Sequence, residues 1–360
     1  MKIGICCPYE LGTPGGVQTQ VRGLAEIFAA RGHEVHVLTP GEQSDDMVGS
    51  AVTALGRVRS VSANGSVAPI TLSWRASRQA REILESCDVT HLHEPFAPLL
   101  GWSTMVSSGH RELSVATFHR SSSAAYDRWL SPLAKLAARR LDITVAVSQE
   151  AARTARGLCG VEPEIVPNGV VVAEALPQQP RKAQLLFVGR HEERKGLAVL
   201  LEASELMTQA HELVIVGQGP QSKDLQARYP EGSSRHWLGR VSDDDRDALL
   251  ANSAVYCAPS LGGESFGVVL LEAMGLGAAV VASSIAGYEA AANGHARLVP
   301  PGEPFALAKA LDEQLRQWRD AGTWQASREA AFAYAQTLSL EVVADRYLAI
   351  FEQGLAARRH

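Results

Sequence analysis

The stretch GGESFGVVLLEAMGLGAAVVAS, Gly262 to Ser283, runs from a glycine turn through an apolar helical segment and a second glycine turn into a hydrophobic strand. Two carboxylates, Glu264 and Glu272, stand eight residues apart in it. Burying a charge is costly unless it is paired or hydrogen-bonded, and a ligand rich in hydroxyl groups is one such partner. On a helix, eight residues rise about 12 Å and turn by two turns plus roughly 80°. The pair would then reach both ends of an extended ligand, with N–H donors of the helix start at Ser265, Phe266 and Gly267 between them. A nucleotide sugar has this layout of hydroxyls, diphosphate and ribose. The plainer reading makes Glu264 a helix cap and Glu272 a surface charge.

Outward from this stretch, short apolar runs alternate with helical patterns. The first half gives KIGICC, EVHVLT, DVTHLHE, SVATFH, ITVAVS and PEIVPN, and the second gives QLLFVG, HELVIVG, SRHWLG, AVYCAP, AAVVAS and HARLVP. Apolar strands separated by helices indicate parallel sheets covered on both faces. The loop from Asn168 to Gln184, rich in proline and glutamine, separates the halves. The expectation is an α/β protein of two doubly wound units, residues 1–172 and 181–339, with a final helix at 340–358.

The bounds agree. A chain of 360 residues is long for one core. It is 46% hydrophobic and 20% charged, as soluble globular proteins are. A net charge of −5 argues against a general nucleic-acid binder. Five cysteines, with Cys6 and Cys7 adjacent, point to free thiols in a reducing compartment. The N-terminus lacks a signal-peptide core and no apolar run reaches spanning length, so the expected location is cytoplasmic.

Ligands of such sheets bind beyond the carboxyl ends of the strands. After the first strand, Gly15 and Gly16 precede a helical run, which suits either a ligand approached by backbone or a loop needing positive φ. After the first strand of the second half, Arg190, Arg194 and Lys195 crowd a loop before a helix. Fixed cations there suit a diphosphate, and the alternative is a solvated basic loop. Residues 216–222, VGQGPQS, read as a turn, because the third glycine of a dinucleotide fingerprint is missing. His91 and His93 share a strand face, and no further ligand stands at metal spacing. His119 ends a strand.

GGESFGVVLLEA resembles the E-x7-E signature of retaining glycosyltransferases of family 4, which have the GT-B fold. PGGVQTQVRGLAEIFAARGHEVHVLTP, ATFH, VPNGV and FVGRHEERKGLAVLLEA follow in the family's order across essentially the whole chain. CPYELGTPGGVQ, NGSVA and APSLGGESFGVVLLEAM narrow the likeness to actinobacterial phosphatidylinositol mannosyltransferases. The resemblance implies two Rossmann-like domains facing a central cleft, an N-terminal one for the acceptor and a C-terminal one for the nucleotide sugar, with the last helix crossing back onto the first domain.

It implies that Gly16 closes against the donor diphosphate, that Arg190 and Lys195 clamp it, and that Glu264 holds sugar hydroxyls and Glu272 the ribose, with Ser265, Phe266 and Gly267 completing the donor site. His119 would line the sugar and acceptor site with Tyr9, Gln18, Asn64, Ser66 and Arg120. His119, Arg190, Lys195 and Glu264 would carry catalysis. Asp243 matches the position that reads guanine, although SDDD at Ser242–Asp245 is also a good helix cap. GDP-mannose is therefore the expected donor, with a UDP-sugar as the alternative. No metal or other cofactor is expected.

The departures lie at the acceptor. Pro69 and Arg120 replace the family's arginine and threonine, and a lysine is missing from SSSAA. The acceptor is expected to be a phosphatidylinositol-type lipid, or else a small polyol. The segment 72–85 reads as a helix bearing Arg75, Arg78 and Arg81 with Trp74, which suits either an anionic membrane surface reached peripherally or plain solvent. A sugar-nucleotide 2-epimerase and a non-catalytic nucleotide-binding module remain as other classes.

Overall fold

The computed structural model describes residues 1–360 except 14, 42–46, 57, 64–65, 72–73, 98–112, 120–123, 179–181, 265 and 360; the side chains of 58–63, 66–71, 74–77, 124–130 and 321 also lie outside the description. The chain divides into two compact units, Met1–Gly169 with Leu340–His360, and Val170–Ser339. The boundary falls just before the expected end at 172. The N–H of Val170 donates to Leu338 O and that of Ala173 to Gly275 O, which ties this segment to the second unit.

The first unit runs β1 (Lys2–Cys6), α1 (Gly16–Ala30), β2 (Glu34–Thr39), β3 (Ser50–Ala54), a hairpin of β4 (Val58–Ala63) and β5 (Ser66–Thr71), α2 (Trp74–Leu84), β6 (Val89–His93), β7 (Leu113–Phe118), α3 (Ala124–Ala138), β8 (Ile143–Ala146), α4 (Gln149–Cys159) and β9 (Glu164–Ile165). Its parallel sheet has the order β3-β2-β1-β6-β7-β8-β9. Local chemistry sets the element ends. In α4, Ser148 Oγ accepts the Ala151 N–H at 3.1 Å, and Gly160 closes the helix at φ 70°, the left-handed turn that glycine adopts without strain.

The second unit contains β10 (Gln184–Val188), α5 (Leu197–Leu206), β11 (Glu212–Val216), α6 (Ser222–Arg228), β12 (Arg235–Gly239), α7 (Asp243–Asn252), β13 (Val255–Ala258), α8 (Val268–Gly275), β14 (Ala279–Ser283), α9 (Ala286–Ala292), β15 (Arg297–Val299), α10 (Pro304–Arg319) and α11 (Ala321–Gln336). Its sheet is parallel in the order β12-β11-β10-β13-β14-β15. Leu185, Phe187, Leu213, Ile215, Val255 and Val281 pack from the strands against Leu197, Leu201, Leu307 and Leu311 of the helices.

The last helix, α12 (Leu340–Arg358), belongs to the first unit. Val343, Tyr347 and Phe351 join Ile3, Ile5, Leu24, Phe28, Val115 and Val145 in one core. The rings of Phe28 and Phe351 meet edge to face at 5.8 Å. Two glycines permit the close approach. A Cβ on Gly23 would lie 2.7 Å from the Leu340 side chain, and one on Gly354 would lie 2.7 Å from that of Leu113. Full burial of a side chain such as Phe351 contributes about 1.5–3 kcal/mol, one of several such contributions that hold this helix to the first sheet.

Candidate active site

In doubly wound sheets, ligands bind where the strand order reverses, beyond the carboxyl ends. The reversal lies between β1 and β6 in the first sheet and between β10 and β13 in the second. The chemistry-bearing residues of the sequence gather at both places.

In the second unit, the loop after β10 is stitched to the loop after β13. Leu261 N donates to Arg194 O at 2.8 Å. Gly196 has φ 69°, and a Cβ there would lie 1.9 Å from Pro259 O. Only glycine fits. Gly217 and Gly219 bring the neighbouring loop equally close, since their Cβ atoms would meet Gly189 O at 1.9 Å and His191 O at 2.6 Å. Residues 216–222 form a turn, and its glycines pack it against the cationic loop.

This closure builds a chain of alternating charges. Arg190 Nη2 lies 2.8 Å from Glu192 Oε1, and Arg194 Nε lies 3.1 Å from Glu192 Oε2. Arg194 Nη1 reaches Glu264 Oε1 at 3.3 Å, and Lys195 Nζ reaches the same oxygen at 2.6 Å. Ser260 Oγ sits 3.4 Å from that oxygen and 2.8 Å from the hydroxyl of Tyr288. Burial and the charge of Glu264 raise the Tyr288 pKa, so its hydroxyl stays protonated. Three cations thus share two carboxylates, and an anionic ligand entering here meets excess positive charge already held in place.

Glu264 does not lie on the helix with Glu272. The helix α8 begins at Val268, and its cap Gly267 has φ 75°, so helical geometry starts only after Glu264. The rise of 12 Å expected for a continuous helix therefore does not apply, and the N–H donors of the helix start come after Gly267 instead of from Ser265 onward. Phe266 and Gly267 are buried. Ser265 lies outside the described residues.

Glu272 faces a second charged group. Burial lifts its carboxyl above the usual range, with Arg246 opposing. Arg246, on α7, bonds Asp243 at 2.9 Å and Asp247 at 2.8 Å. Ser242 caps this helix, its Oγ accepting the Asp245 N–H at 3.1 Å. Asp243 is thus free of cap duty and stands 87% exposed in the first turn.

The corresponding edge of the first unit gathers three histidines. His91 and His93 end β6, and His119 follows β7. His91 Nε2 lies 2.8 Å from Thr117 Oγ1, which lies 3.1 Å from the Tyr347 hydroxyl of α12. His93 Nδ1 lies 2.8 Å from His119 Nε2. Burial pushes the pKa values of His91 and His119 down to about 3 and that of His93 well below its ordinary value. The trio is uncharged near neutral pH. Among the described residues, no group of three or more His, Cys, Asp or Glu side chains could hold a metal ion.

Gly16 opens α1, and a Cβ there would meet nothing within 4 Å. Tyr9 is half-buried, its carbonyl bonded by Thr39 Oγ1 at 2.9 Å. Gln18 is buried and turned back on Glu10 O at 3.5 Å. Asn64 and Arg120, and the side chain of Ser66, lie outside the described residues. The helix α2 carries Arg78 paired with Glu82 at 3.0 Å and Arg81 paired with Glu85 at 2.6 Å. Its described arginines thus have their own counterions. No helix among the described residues is long and apolar enough to cross a membrane.

Residues 14–174 match the model of Glycosyltransferase Family 4, and residues 182–317 match that of Glycosyl transferases group 1. Over 340 residues, 88% of each chain, the sequence is 38% identical to a phosphatidyl-myo-inositol mannosyltransferase of Mycobacterium leprae. It is 35% identical to the protein of that name in Propionibacterium freudenreichii over 79% of this chain and 77% of the other. Among solved structures, sucrose-phosphate synthase from Thermosynechococcus elongatus aligns with a TM-score of 0.76 at 20% identity over 99% of both chains. HepE of Anabaena in complex with UDP-glucose aligns at 0.74 and 18% identity over 98% of this chain and all of the other. At such identities the two structures share the fold.

Proposed function

The chain belongs to glycosyltransferase family 4, with the GT-B fold, and on that premise we propose that it moves mannose from GDP-mannose, with retention, to a hydroxyl of a phosphatidylinositol-type lipid. The observation that carries the reading is the convergence of Lys195 and Arg194 on Glu264, at 2.6 and 3.3 Å, beside the Arg190–Glu192 pair. The identity of 38% to a mannosyltransferase with a phosphatidylinositol acceptor in its name supports sugar and acceptor.

In this reading the second unit holds the donor. Arg190 and Lys195 take the diphosphate, and their charge is needed most as the sugar–phosphate bond breaks and negative charge grows on the leaving oxygen. Glu264 keeps one oxygen on Lys195 and Arg194 and offers the other to sugar hydroxyls. Glu272 takes the ribose, and Asp243 accepts from the base edge, which favours guanine with its N–H donors. The leaving phosphate oxygen takes the proton of the incoming hydroxyl on the same face, so no side-chain base is required. Protein cations neutralise the diphosphate without a metal ion. In the first unit, His119 and Tyr9 serve the acceptor. Gln18, held by Glu10 O, acts through the loop before α1.

The test is a panel of nucleotide sugars offered with a lipid extract, with product identified by mass spectrometry. GDP release that depends on acceptor, with a mannosylated inositol lipid, is the expected result. Consumption of a UDP-sugar instead would overturn the donor, and mannosylation of a soluble polyol alone would overturn the acceptor. Interconversion of sugar nucleotides without acceptor would indicate an epimerase.

A further inference from the structure

The loop after β10 turns on His191. The Glu192 N–H donates to Arg190 O at 2.8 Å, which closes a three-residue turn with His191 at its centre. The two outer residues of that turn are the ion pair of the charge cluster, Arg190 Nη2 lying 2.8 Å from Glu192 Oε1. The side chain of Arg190 is 52% exposed, whereas His191 is 1% exposed. The turn thus leaves its arginine open to a ligand and roots its middle residue in the second unit.

His191 is held through both backbone and ring. Its N–H donates to Gln218 O at 3.4 Å, and its carbonyl accepts the Gln221 N–H at 3.0 Å. Its Nδ1 lies 2.8 Å from Oγ of Ser222, the first residue of α6. The same oxygen accepts the Gly219 N–H at 2.9 Å, so one hydroxyl organises both the ring and the turn beside it. The ring meets Trp237 of β12 edge to face at 5.6 Å and Phe187 of β10 at 6.2 Å. A Cβ on Gly219 would lie 2.6 Å from His191 O, so the two turns are in close contact along their backbones.

One backbone hydrogen bond adds little net stability, so a three-residue turn by itself would not keep Arg190 in place. The anchorage of His191 does. A cation that is already fixed need not be ordered by its ligand, and that ordering costs up to about a factor of 10 in affinity for a long side chain. A buried histidine can also serve packing alone. Here its immediate neighbours in sequence are the two members of the ion pair, and the turn that joins them is centred on it.

We propose that His191 is a positioning residue for Arg190: its ring, bonded to Ser222 and packed against Trp237, fixes the turn that presents the Arg190 guanidinium to the diphosphate. The ligand rests on the clamp reading above, whereas the anchoring of the turn does not.

The experiment is calorimetric titration of GDP and of guanosine, without added metal, into the full chain and its His191→Phe, His191→Asn, Arg190→Ala and Arg190→Ala/His191→Phe variants. Hydrogen exchange of residues 189–196 is followed in the same proteins. Phe keeps a ring in place without a nitrogen, and Asn can place a polar atom near the position of Nδ1. His191→Phe should weaken GDP binding about 10-fold, leave guanosine binding unchanged and speed exchange at 189–196. His191→Asn should recover most of the loss. In the Arg190→Ala background, His191→Phe should weaken GDP no further, because the two residues act as one unit. Equal weakening in both backgrounds, or an equal loss for guanosine, would make His191 a packing residue and overturn the proposal. Exchange as slow in His191→Phe as in wild type would overturn it too. If His191→Phe does not fold, Ser222→Ala removes the partner of the ring and should show the same losses, and its failure to do so counts against the proposal in the same way. If GDP binds none of these proteins, the clamp reading fails, and the exchange rates alone decide whether His191 anchors the turn.

Discussion

The two switch points of this molecule solve the same geometric problem with opposite chemistry. At the end of β10 and β13, five charged side chains interlock, and the local backbone is so tight that Gly196 and Gly217 admit no Cβ. At the end of β6 and β7, three uncharged histidines lie ring against ring in the core, His93 bonded to His119 and His91 held through Thr117 to Tyr347. Fixed charges suit a ligand whose negative charge grows during reaction. Neutral donors and acceptors suit a hydroxyl that must be oriented without being ionised. On the proposed transferase reading, the donor falls to the charges of the second unit and the acceptor to the histidines of the first.

The sharpest way to break this comparison is through glycine. Gly196→Ala should lower kcat/KM by about 100-fold or more, because the cationic loop must move away from Pro259, and a displacement near 1 Å costs about that much. Gly16→Ala should leave the melting temperature unchanged and kcat/KM nearly so, since the space around it is open. Equal effects in the two variants, by calorimetry and kinetics, would erase the distinction.

Lys195→Ala comes next. It removes a charge-assisted hydrogen bond worth about 1.5–3 kcal/mol and leaves Glu264 with less compensation, so kcat/KM should fall roughly 10- to 100-fold or more. Wild-type turnover would remove Lys195 from the site.

Acid should separate the units. Burial holds His91 and His119 at about 3, and His93 well down, in the folded state. Between pH 6.5 and about 3 the unfolded chain therefore binds protons that the folded one refuses. Stability is full above pH 6.5 and falls as pH drops, by about 1.4 kcal/mol per pH unit for each histidine. His33 in the first unit and His191 in the second are shifted the same way, so the second unit should lose less. Hydrogen exchange at pH 7.5 and 5 should show β6 and β7 losing protection before β10 and β13. The reverse order would contradict the neutral-core account.

Two smaller effects complete the series. EDTA should leave most activity intact if protein cations neutralise the diphosphate, and strict dependence on added Mg2+ or Mn2+ would overturn the clamp. Vesicle binding through 72–85 should be weak and salt-sensitive and be lost when Arg75, Arg78 and Arg81 become glutamate. Failure of wild type and triple variant alike at low salt would leave α2 as a surface helix, which the Arg78–Glu82 and Arg81–Glu85 pairs favour.

Much of this architecture is legible in the residues, because short, largely apolar runs such as QLLFV and AVVAS, repeated between helical patterns, fit the buried strands of a parallel sheet. The edge strand SAVTA is short and only partly buried, so it lacks that signal. The hairpin of β4 and β5 carries an Asn-Gly pair between alternating runs, a local signal overshadowed by the stronger α/β pattern. At the site, Arg190, Lys195 and Glu264 announce themselves as charges beside glycines. Their connections do not. Ser260 joins Glu264, Lys195 and the hydroxyl of Tyr288 only when the loops after β10 and β13 meet through space. Glu264 and Glu272 look like two positions of one helix until Gly267 adopts φ 75° and divides them. His93 meets His119 only because β6 and β7 lie side by side.

The central claim is that the second unit's charge cluster is a diphosphate clamp, and its most direct test is calorimetric titration of GDP, without added metal, into wild type and the Arg190→Ala/Lys195→Ala double variant. The account predicts binding to wild type and a loss of at least about 100-fold in the double variant, from two charge-assisted hydrogen bonds of about 1.5–3 kcal/mol each, with guanosine binding weakly and equally to both. Equal affinity of GDP for the two proteins would contradict it.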